Sequence, residues 1–177
     1  AEKEIKIDEQ WIKEMAEKYR LPDIINISED RLFNEQGVNI QQYFFYDDRD
    51  DDWDGHHSFR NFLRQYGVEV SWDGQGKITS IRKTNSNGWN VEDRGSYLVV
   101  SSTRNGKKLE IYANKPDQVD KGREDIKNEF KDKGLGATVY VHRGHSFHVG
   151  KSIEDIDPRA AVVYLGSCGG YNNLNGV

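Results

Sequence analysis

Val-Tyr-Val-His-Arg-Gly-His at positions 139–145 and Ala-Val-Val-Tyr-Leu-Gly-Ser-Cys-Gly-Gly at positions 161–170 predict a parallel β-sheet. Each stretch opens with aliphatic residues that do not alternate with polar ones, which is typical of strands buried on both faces of such a sheet. The first run ends next to glycine at His145, and the second at Cys168. Because ligands bind beyond the carboxyl ends of parallel strands, we expect His145 and Cys168 at one edge of the sheet.

Cys168 and His145 together have the chemistry of a nucleophilic pair. A free thiol is mostly protonated at neutral pH because its pKa is about 8.5, and a nearby imidazole can remove that proton and later return it to a leaving amine. Gly166, Gly169 and Gly170 would leave backbone N–H groups free to stabilise an oxyanion. The alternative is that both residues are structural: Cys168 would be a small buried residue of the core, and His145 would cap a strand end.

The linear order of these motifs resembles that of the caspase-like clan of cysteine peptidases, which includes caspases, metacaspases, clostripain, gingipains and separase. Gly144-His145 is similar to the Gly-His element of gingipains and clostripain, and Ser167-Cys168-Gly169 is similar to the clan's small-Cys-x-Gly element. The resemblance implies a caspase-like three-layer α/β sandwich, with a mostly parallel central sheet and an added β-hairpin.

The resemblance also implies roles for individual residues. Cys168 would be the nucleophile and His145, rather than His142, the general base and acid. Backbone N–H groups of Gly144, Ser146 and Gly169 would form the oxyanion hole, although the clan usually has glycine where Ser146 stands. The His145–Cys168 spacing is shorter than in caspases.

The rest of the chain predicts secondary structure in a compatible order, from hydrophobic periodicity and turn residues. We expect strands at 40–46, 68–72 and 77–82, helices at 58–66 and 118–133, a loop at 84–95, a hairpin of strands 97–101 and 109–113 around Asn105-Gly106, and one helical turn at 153–156.

Residues 39–177 are expected to form the caspase-like α/β domain, and residues 1–38 an N-terminal helical extension with helices at 7–21 and 28–34. Only nine residues follow Cys168, so we expect the domain to be incomplete at its carboxyl end. The resemblance implies that the missing half belongs to a longer polypeptide or to a second chain.

An acidic run from Asp47 to Gly55 allows three interpretations. Asp50, Asp52 and Asp54, followed by Gly55, match the opening of a calcium loop, but its twelfth position is Asn61 rather than glutamate, so an EF-hand is not expected. Alternatively, these carboxylates bind a basic substrate side chain, for which the candidates are Asp47, Asp48 and Asp50. A solvated acidic loop is the third interpretation.

Three histidines near the end of the chain suggest a zinc site as a further hypothesis. His142, His145 and His148 form His-x-x-His-x-x-His, but on an extended strand the middle residue points away from the other two. A zinc-dependent hydrolase therefore stays a weaker alternative. His56 and His57 are interpreted as surface residues.

Composition restricts the class of partner. The 177-residue chain has a formal net charge of −5 and no clustered basic face, which argues against nucleic acid as the main partner. Its sequence contains no long apolar stretch, so no membrane span is expected. The single cysteine excludes an internal disulfide and leaves the cellular compartment open.

These observations predict a cysteine endopeptidase that acts on a peptide or protein substrate and, as the resemblance implies, cleaves after basic residues. The proposed peptidase requires no cofactor, and Ca²⁺ is a candidate ion. The alternative is a catalytically inactive domain of the same fold that binds or scaffolds a partner, with a cation held by residues 50–54.

Overall fold

The computed structural model describes residues 28–47, 53–85 and 88–166. The strands in these residues are β1 Val38–Phe45, β2 Val68–Trp72, β3 Ile78–Lys83, β4 Asn90–Asp93, β5 Tyr97–Arg104, β6 Lys107–Asn114, β7 Val139–Arg143 and β8 Val162–Gly166. The α-helices are α1 Asp54–Arg64, α2 Val119–Lys133 and α3 Val149–Ile153, with short 3₁₀ helices at Glu29–Leu32, Pro116–Gln118 and Ser146–His148.

Six strands form the central sheet, in the order β4-β5-β6-β1-β7-β8. β1 is parallel to both of its neighbours, β6 and β7, and β7 is parallel to β8. β5 is antiparallel to β4 and β6, and β2 and β3 form a separate antiparallel pair. The predicted α/β class, with a mostly parallel sheet and an added hairpin, is confirmed.

Two hydrophobic clusters cover the two faces of the sheet, so the molecule has three layers. Alternate residues along each strand point to opposite faces, which is why consecutive apolar residues of β1 join different clusters. Helix α2 covers one face through Ile126 and Phe130, which pack on Ile40, Phe44, Tyr112 and Tyr140. Helix α1 and the β2–β3 pair cover the other face through Phe59, Leu63, Val68 and Val70, which pack on Phe45, Leu98, Val100 and Ile111.

The turn predictions are confirmed by the backbone. Asn105 and Gly106 have φ angles of 52° and 77°, as a two-residue hairpin turn between right-twisted strands requires. Helix α2 ends at Gly134, whose φ is 63°. Hydrogen bonds from Gly134 N–H to Lys131 and from Leu135 N–H to Phe130 satisfy the last carbonyl groups of this helix.

Several sequence predictions need correction. Strand β4 lies within the predicted loop at 84–95, and the helical turn expected at 153–156 occurs earlier, at α3. Strand β8 was expected to be buried on both faces, but among the described strands it pairs only with β7, and its Tyr164 is 54% exposed. The short helix expected at 28–34 is the 3₁₀ helix Glu29–Leu32, and the helix expected at 7–21 lies outside the described residues.

Within the described part of the chain, every helix is too short or too polar to cross a lipid bilayer.

Candidate active site

The candidate site lies at the carboxyl edge of the sheet, where β1, β6, β7 and β8 all end. β7 and β8 pair in register from Val139 opposite Val162 to Arg143 opposite Gly166. His145 follows Arg143 by two positions in the sequence, and Cys168 follows Gly166 by the same number. Cys168 and Gly169 lie outside the described residues. The structure therefore describes the His145 half of the predicted pair and the strand that leads to Cys168.

Gly144 lets the end of β7 pack closely against the end of β1. A Cβ atom at position 144 would lie 2.9 Å from Cβ of Tyr46 and 3.1 Å from its carbonyl oxygen. The Tyr46 N–H donates to the carbonyl of Arg143 over 3.0 Å and so extends the pairing of the two strands by one residue. Glycine is needed at 144 because any larger residue would push the two strand ends apart.

His145 lies between β7 and the 3₁₀ helix Ser146–His148. Its ring stacks on Phe147, with 5.4 Å between the ring centroids and 8° between the planes, and Phe147 is largely exposed. The carbonyl oxygen of His145 accepts the N–H of His148 at 3.1 Å, which closes the 3₁₀ turn. The His145 side chain is half-buried and its Nε2 atom is buried, so a substrate must approach the ring from its remaining exposed part.

His142, in contrast, is buried and uses both ring nitrogens within the protein. Its Nε2 lies 3.3 Å from the carbonyl oxygen of His145, which can only accept, so Nε2 carries the hydrogen. Its Nδ1 then accepts the hydroxyl hydrogen of Ser152 over 2.9 Å. Burial lowers the pKa of His142, so the ring is neutral in the folded protein. His142 thus supports the loop that carries His145.

Tyr46 stacks on two of the three histidines of the His-x-x-His-x-x-His segment. Its ring centroid lies 5.2 Å from that of His142 and 4.8 Å from that of His148. Burial raises the pKa of Tyr46 to about 12, so its hydroxyl stays protonated at neutral pH. Among the described residues, no three His, Cys, Asp or Glu side chains gather closely enough to hold a metal ion.

We expect the buried His142 to make the folded protein sensitive to acid. Its pKa is lower in the folded than in the unfolded state, so below about pH 6.5 the unfolded chain binds more protons. The free energy of unfolding should therefore decrease as the pH falls through 6.5. Urea unfolding of the wild type and of His142→Gln between pH 7.5 and 5.5 measures this, and the variant should show the smaller decrease. An equal decrease in both proteins would contradict the assignment.

Asn114 holds the end of β1 and was missed by sequence reasoning. Its side chain pairs with the backbone of Phe45, accepting the N–H at 3.0 Å and donating to the carbonyl at 2.8 Å. These two bonds continue the β1–β6 ladder beyond Tyr43 and Ala113. Asparagine just after an apolar strand was the available signal, but its partner is 69 residues away.

Asp47 is the one candidate substrate-binding carboxylate among the described residues, and it contacts His56. The carboxylate accepts the backbone N–H of His56 at 3.1 Å and is also hydrogen-bonded to its Nδ1. The second ring nitrogen of His56 lies 2.6 Å from the carbonyl of Gly76. Both ring nitrogens of the buried His56 therefore contact oxygen atoms within the protein, one of Asp47 and one of Gly76. The Asp47 carboxylate therefore holds helix α1 against the end of β1.

The sequence interpretation of His56 as a surface residue was wrong. His56 is 2% exposed and lies on the buried face of α1, with Phe59 and Leu63. The spacing of these three residues, three and then four apart, was the signal that could have placed it there. Only His57 remains partly exposed, where it contacts Arg60 and Trp72.

The predicted calcium loop is only partly described. Asp48, Asp50 and Asp52 lie outside the described residues, and Asp54 is the first residue of α1. Gly55 lies in helix α1 and does not have a positive φ angle. It therefore does not make the sharp turn that a calcium loop requires. Instead, a Cβ atom at position 55 would overlap with the backbone of Tyr46. Gly55 is therefore explained by close packing.

Comparison with known proteins identifies no relative, because no protein-family model, curated protein or solved structure matches this chain.

Proposed function

We propose that this chain is a cysteine endopeptidase of the caspase-like type, with Cys168 as nucleophile and His145 as general base and acid. The observation that carries the proposal is the parallel, in-register pairing of β7 and β8, which end at Arg143 and Gly166. Each reactive residue follows its strand by two positions. Parallel neighbours deliver the residues that follow them to the same edge of a sheet.

The state of the histidines also supports the choice of His145. His142 is buried and uses both of its ring nitrogens in bonds to Ser152 and to the His145 carbonyl. A general base must reach the proton that it removes. His145 is half-buried and lies two positions beyond the end of β7.

The proposed reaction proceeds by acyl transfer. His145 takes the proton of Cys168 as the sulfur attacks the scissile carbonyl carbon, which gives a tetrahedral oxyanion. The C–N bond then breaks, and His145 gives its proton to the leaving amine. Water attacks the resulting thioester while His145 takes the water proton, and that proton returns to the sulfur as the carboxylic acid leaves.

The oxyanion would be stabilised by backbone N–H groups of Gly144, Ser146 and Gly169. Ser146 is the first residue of a 3₁₀ helix, and the first N–H groups of a helix have no acceptor within it. Such donors are preorganised, because the helix is already formed before the substrate binds.

Cleavage after a basic residue requires a carboxylate that is available to the substrate. Asp47 is paired with His56 and is 6% exposed, so its carboxylate already has a structural role. Recognition of an Arg or Lys side chain would therefore depend on Asp48 and Asp50, the remaining predicted candidates. A calcium ion at Asp50, Asp52 and Asp54 would compete for Asp50, which makes added Ca²⁺ a useful variable in the activity assay.

Alkylation of Cys168 tests the proposed pair directly, because this chain has no other cysteine. A thiol with a pKa of about 8.5 is roughly 3% thiolate at pH 7, so full ionisation by His145 would raise its rate with iodoacetamide by up to about 30-fold. We expect the wild type to react at least tenfold faster than glutathione. His145→Asn should lose this excess, and the control His57→Asn should keep it. Mass spectrometry of the modified peptide measures all three rates.

The opposite outcome favours the non-enzymatic alternative. If Cys168 reacts no faster than glutathione, and the full natural chain does not cleave peptides with Arg or Lys at the scissile position, the domain binds or scaffolds a partner. A thiol that reacts fast in both wild type and His145→Asn would mean that another group activates Cys168.

A further inference from the structure

A groove at the other end of the sheet lies far from the candidate catalytic edge in the fold. It occupies about 280 Å³ on the face that α1 covers in part, where β1 and β6 begin and β5 ends. Asn39, Leu109 and Ser102 lie in register across these three strands and form its floor. We call it the Trp89 groove, after the indole that forms one wall.

Two amide side chains in the floor offer ordered hydrogen-bonding groups. Asn39 and Gln41 point to the same face as Tyr43 and Phe45, which are apolar in the core, and Asn39 is only 8% exposed. Gln41 Nε2 donates to Asn39 Oδ1 over 2.9 Å, which orients both amides. The Nδ2 group of Asn39, the second N–H of Gln41 and the Gln41 Oε1 atom remain, and within the described residues none of them has a hydrogen-bond partner. A ligand with a complementary polar edge would bond to these oriented groups in place of solvent.

Trp89 is a fixed aromatic surface beside this floor. Tyr66 packs edge-to-face against its ring, with 4.7 Å between the centroids. Ser102 Oγ donates to the carbonyl of Gly88 at 3.0 Å, and Lys83 Nζ donates to the carbonyl of Trp89 at 3.1 Å. The indole is therefore ordered before any ligand arrives, which reduces the entropy cost of stacking a planar ring on it.

The groove is also positively charged, in a chain whose net charge is −5. Arg104, Lys107 and Lys108 line it, and no aspartate or glutamate is among its lining residues. Lys107 is paired with Glu29, and Lys108 with Glu110. Arg104 has no carboxylate partner in the described part of the chain, and its guanidinium lies 5.8 Å from the centre of the Trp89 ring. An anionic group next to Trp89 would meet this unpaired cation.

We propose that the Trp89 groove binds a nucleoside phosphate. The base stacks on Trp89, its polar edge pairs with the amides of Asn39 and Gln41, and Arg104 holds the phosphate. The nucleotide is either free or part of a single strand. The expectation that nucleic acid is not the main partner depended on the net charge of −5 and on the lack of a clustered basic face. Arg104, Lys107 and Lys108 lie within five residues of the sequence at the β5–β6 turn, and the fold places this turn beside Trp89.

Titration calorimetry on the full chain tests the proposal. Probes are the four ribonucleoside 5′-monophosphates, uridine and adenosine, inorganic phosphate, and an eight-residue oligouridylate. At least one monophosphate should bind at least tenfold more tightly than its nucleoside and than phosphate alone. Raising the salt concentration should weaken it. If the oligonucleotide binds more than tenfold more tightly than the monophosphate, the ligand is a strand, and otherwise it is a free nucleotide.

Two variants and a control locate the site. Arg104→Ala and Asn39→Leu should each weaken binding at least tenfold, whereas Arg159→Ala, an exposed arginine outside the groove, should leave it unchanged. Arg104 is exposed, so its removal should not affect folding. Binding of no nucleotide at millimolar concentration would overturn the proposal, and so would equal losses in Arg104→Ala and Arg159→Ala.

Discussion

Replacing Cys168 with alanine should abolish peptide cleavage, and His145→Ala should lower kcat/KM by about 10²–10⁴-fold, the range that general acid–base catalysis contributes. The two effects should not add, because a base without its nucleophile has no proton to take. The double variant should therefore be as inactive as Cys168→Ala alone. Hydrolysis of fluorogenic peptides with Arg, Lys, Asp or Ala at the scissile position, by the full natural chain, measures both the loss and the substrate preference.

His57→Ala is the matched control, because His57 has no role in the proposed reaction and its ring contacts Arg60 and Trp72. It should retain full activity. A His145→Ala protein that cleaves as fast as the wild type would remove His145 from the mechanism. Circular dichroism of each variant separates a catalytic loss from unfolding, because Cys168→Ala and His145→Ala are both expected to keep the native spectrum.

Gly55→Ala should destabilise the protein by about 3 kcal/mol, although alanine normally stabilises a helix. Gly55 lies in the first turn of α1, and a Cβ atom there would overlap with the carbonyl oxygen of Tyr46 and lie 2.7 Å from the carbonyl carbon. Both atoms belong to the backbone and cannot rotate away. The overlap can be relieved only if α1 moves from the end of β1, which also separates His56 from Asp47.

Gly150→Ala, in helix α3, provides the matched comparison. Nothing lies within 4 Å of a Cβ atom at that position, so the same substitution should stabilise the protein by about 0.5 kcal/mol. Urea unfolding of both variants measures the difference. If Gly55→Ala is as stable as Gly150→Ala, the contact between α1 and the end of β1 is looser than the structure describes.

The candidate site shows where sequence reasoning succeeds and where it stops. The apolar runs before His145 and Cys168 predicted parallel strands, and β7 and β8 are neighbouring parallel strands. The same reasoning placed His56 on the surface, although it is buried against Asp47 and the carbonyl of Gly76. The partner of one of its ring nitrogens lies 20 residues away and in another element, and no local pattern encodes that contact.

The sequence by itself determined the features that depend on neighbouring residues. The Asn105-Gly106 turn, the end of α2 at Gly134 and the identity of most strands follow from local backbone preferences and from hydrophobic periodicity. Only the tertiary structure decided the strand order, with β1 between β6 and β7, and the assembly of the Trp89 groove from β1, β5, β6 and the segment before β4. These features depend on which faces pack together, and the free energy of that packing belongs to the whole core rather than to any one segment.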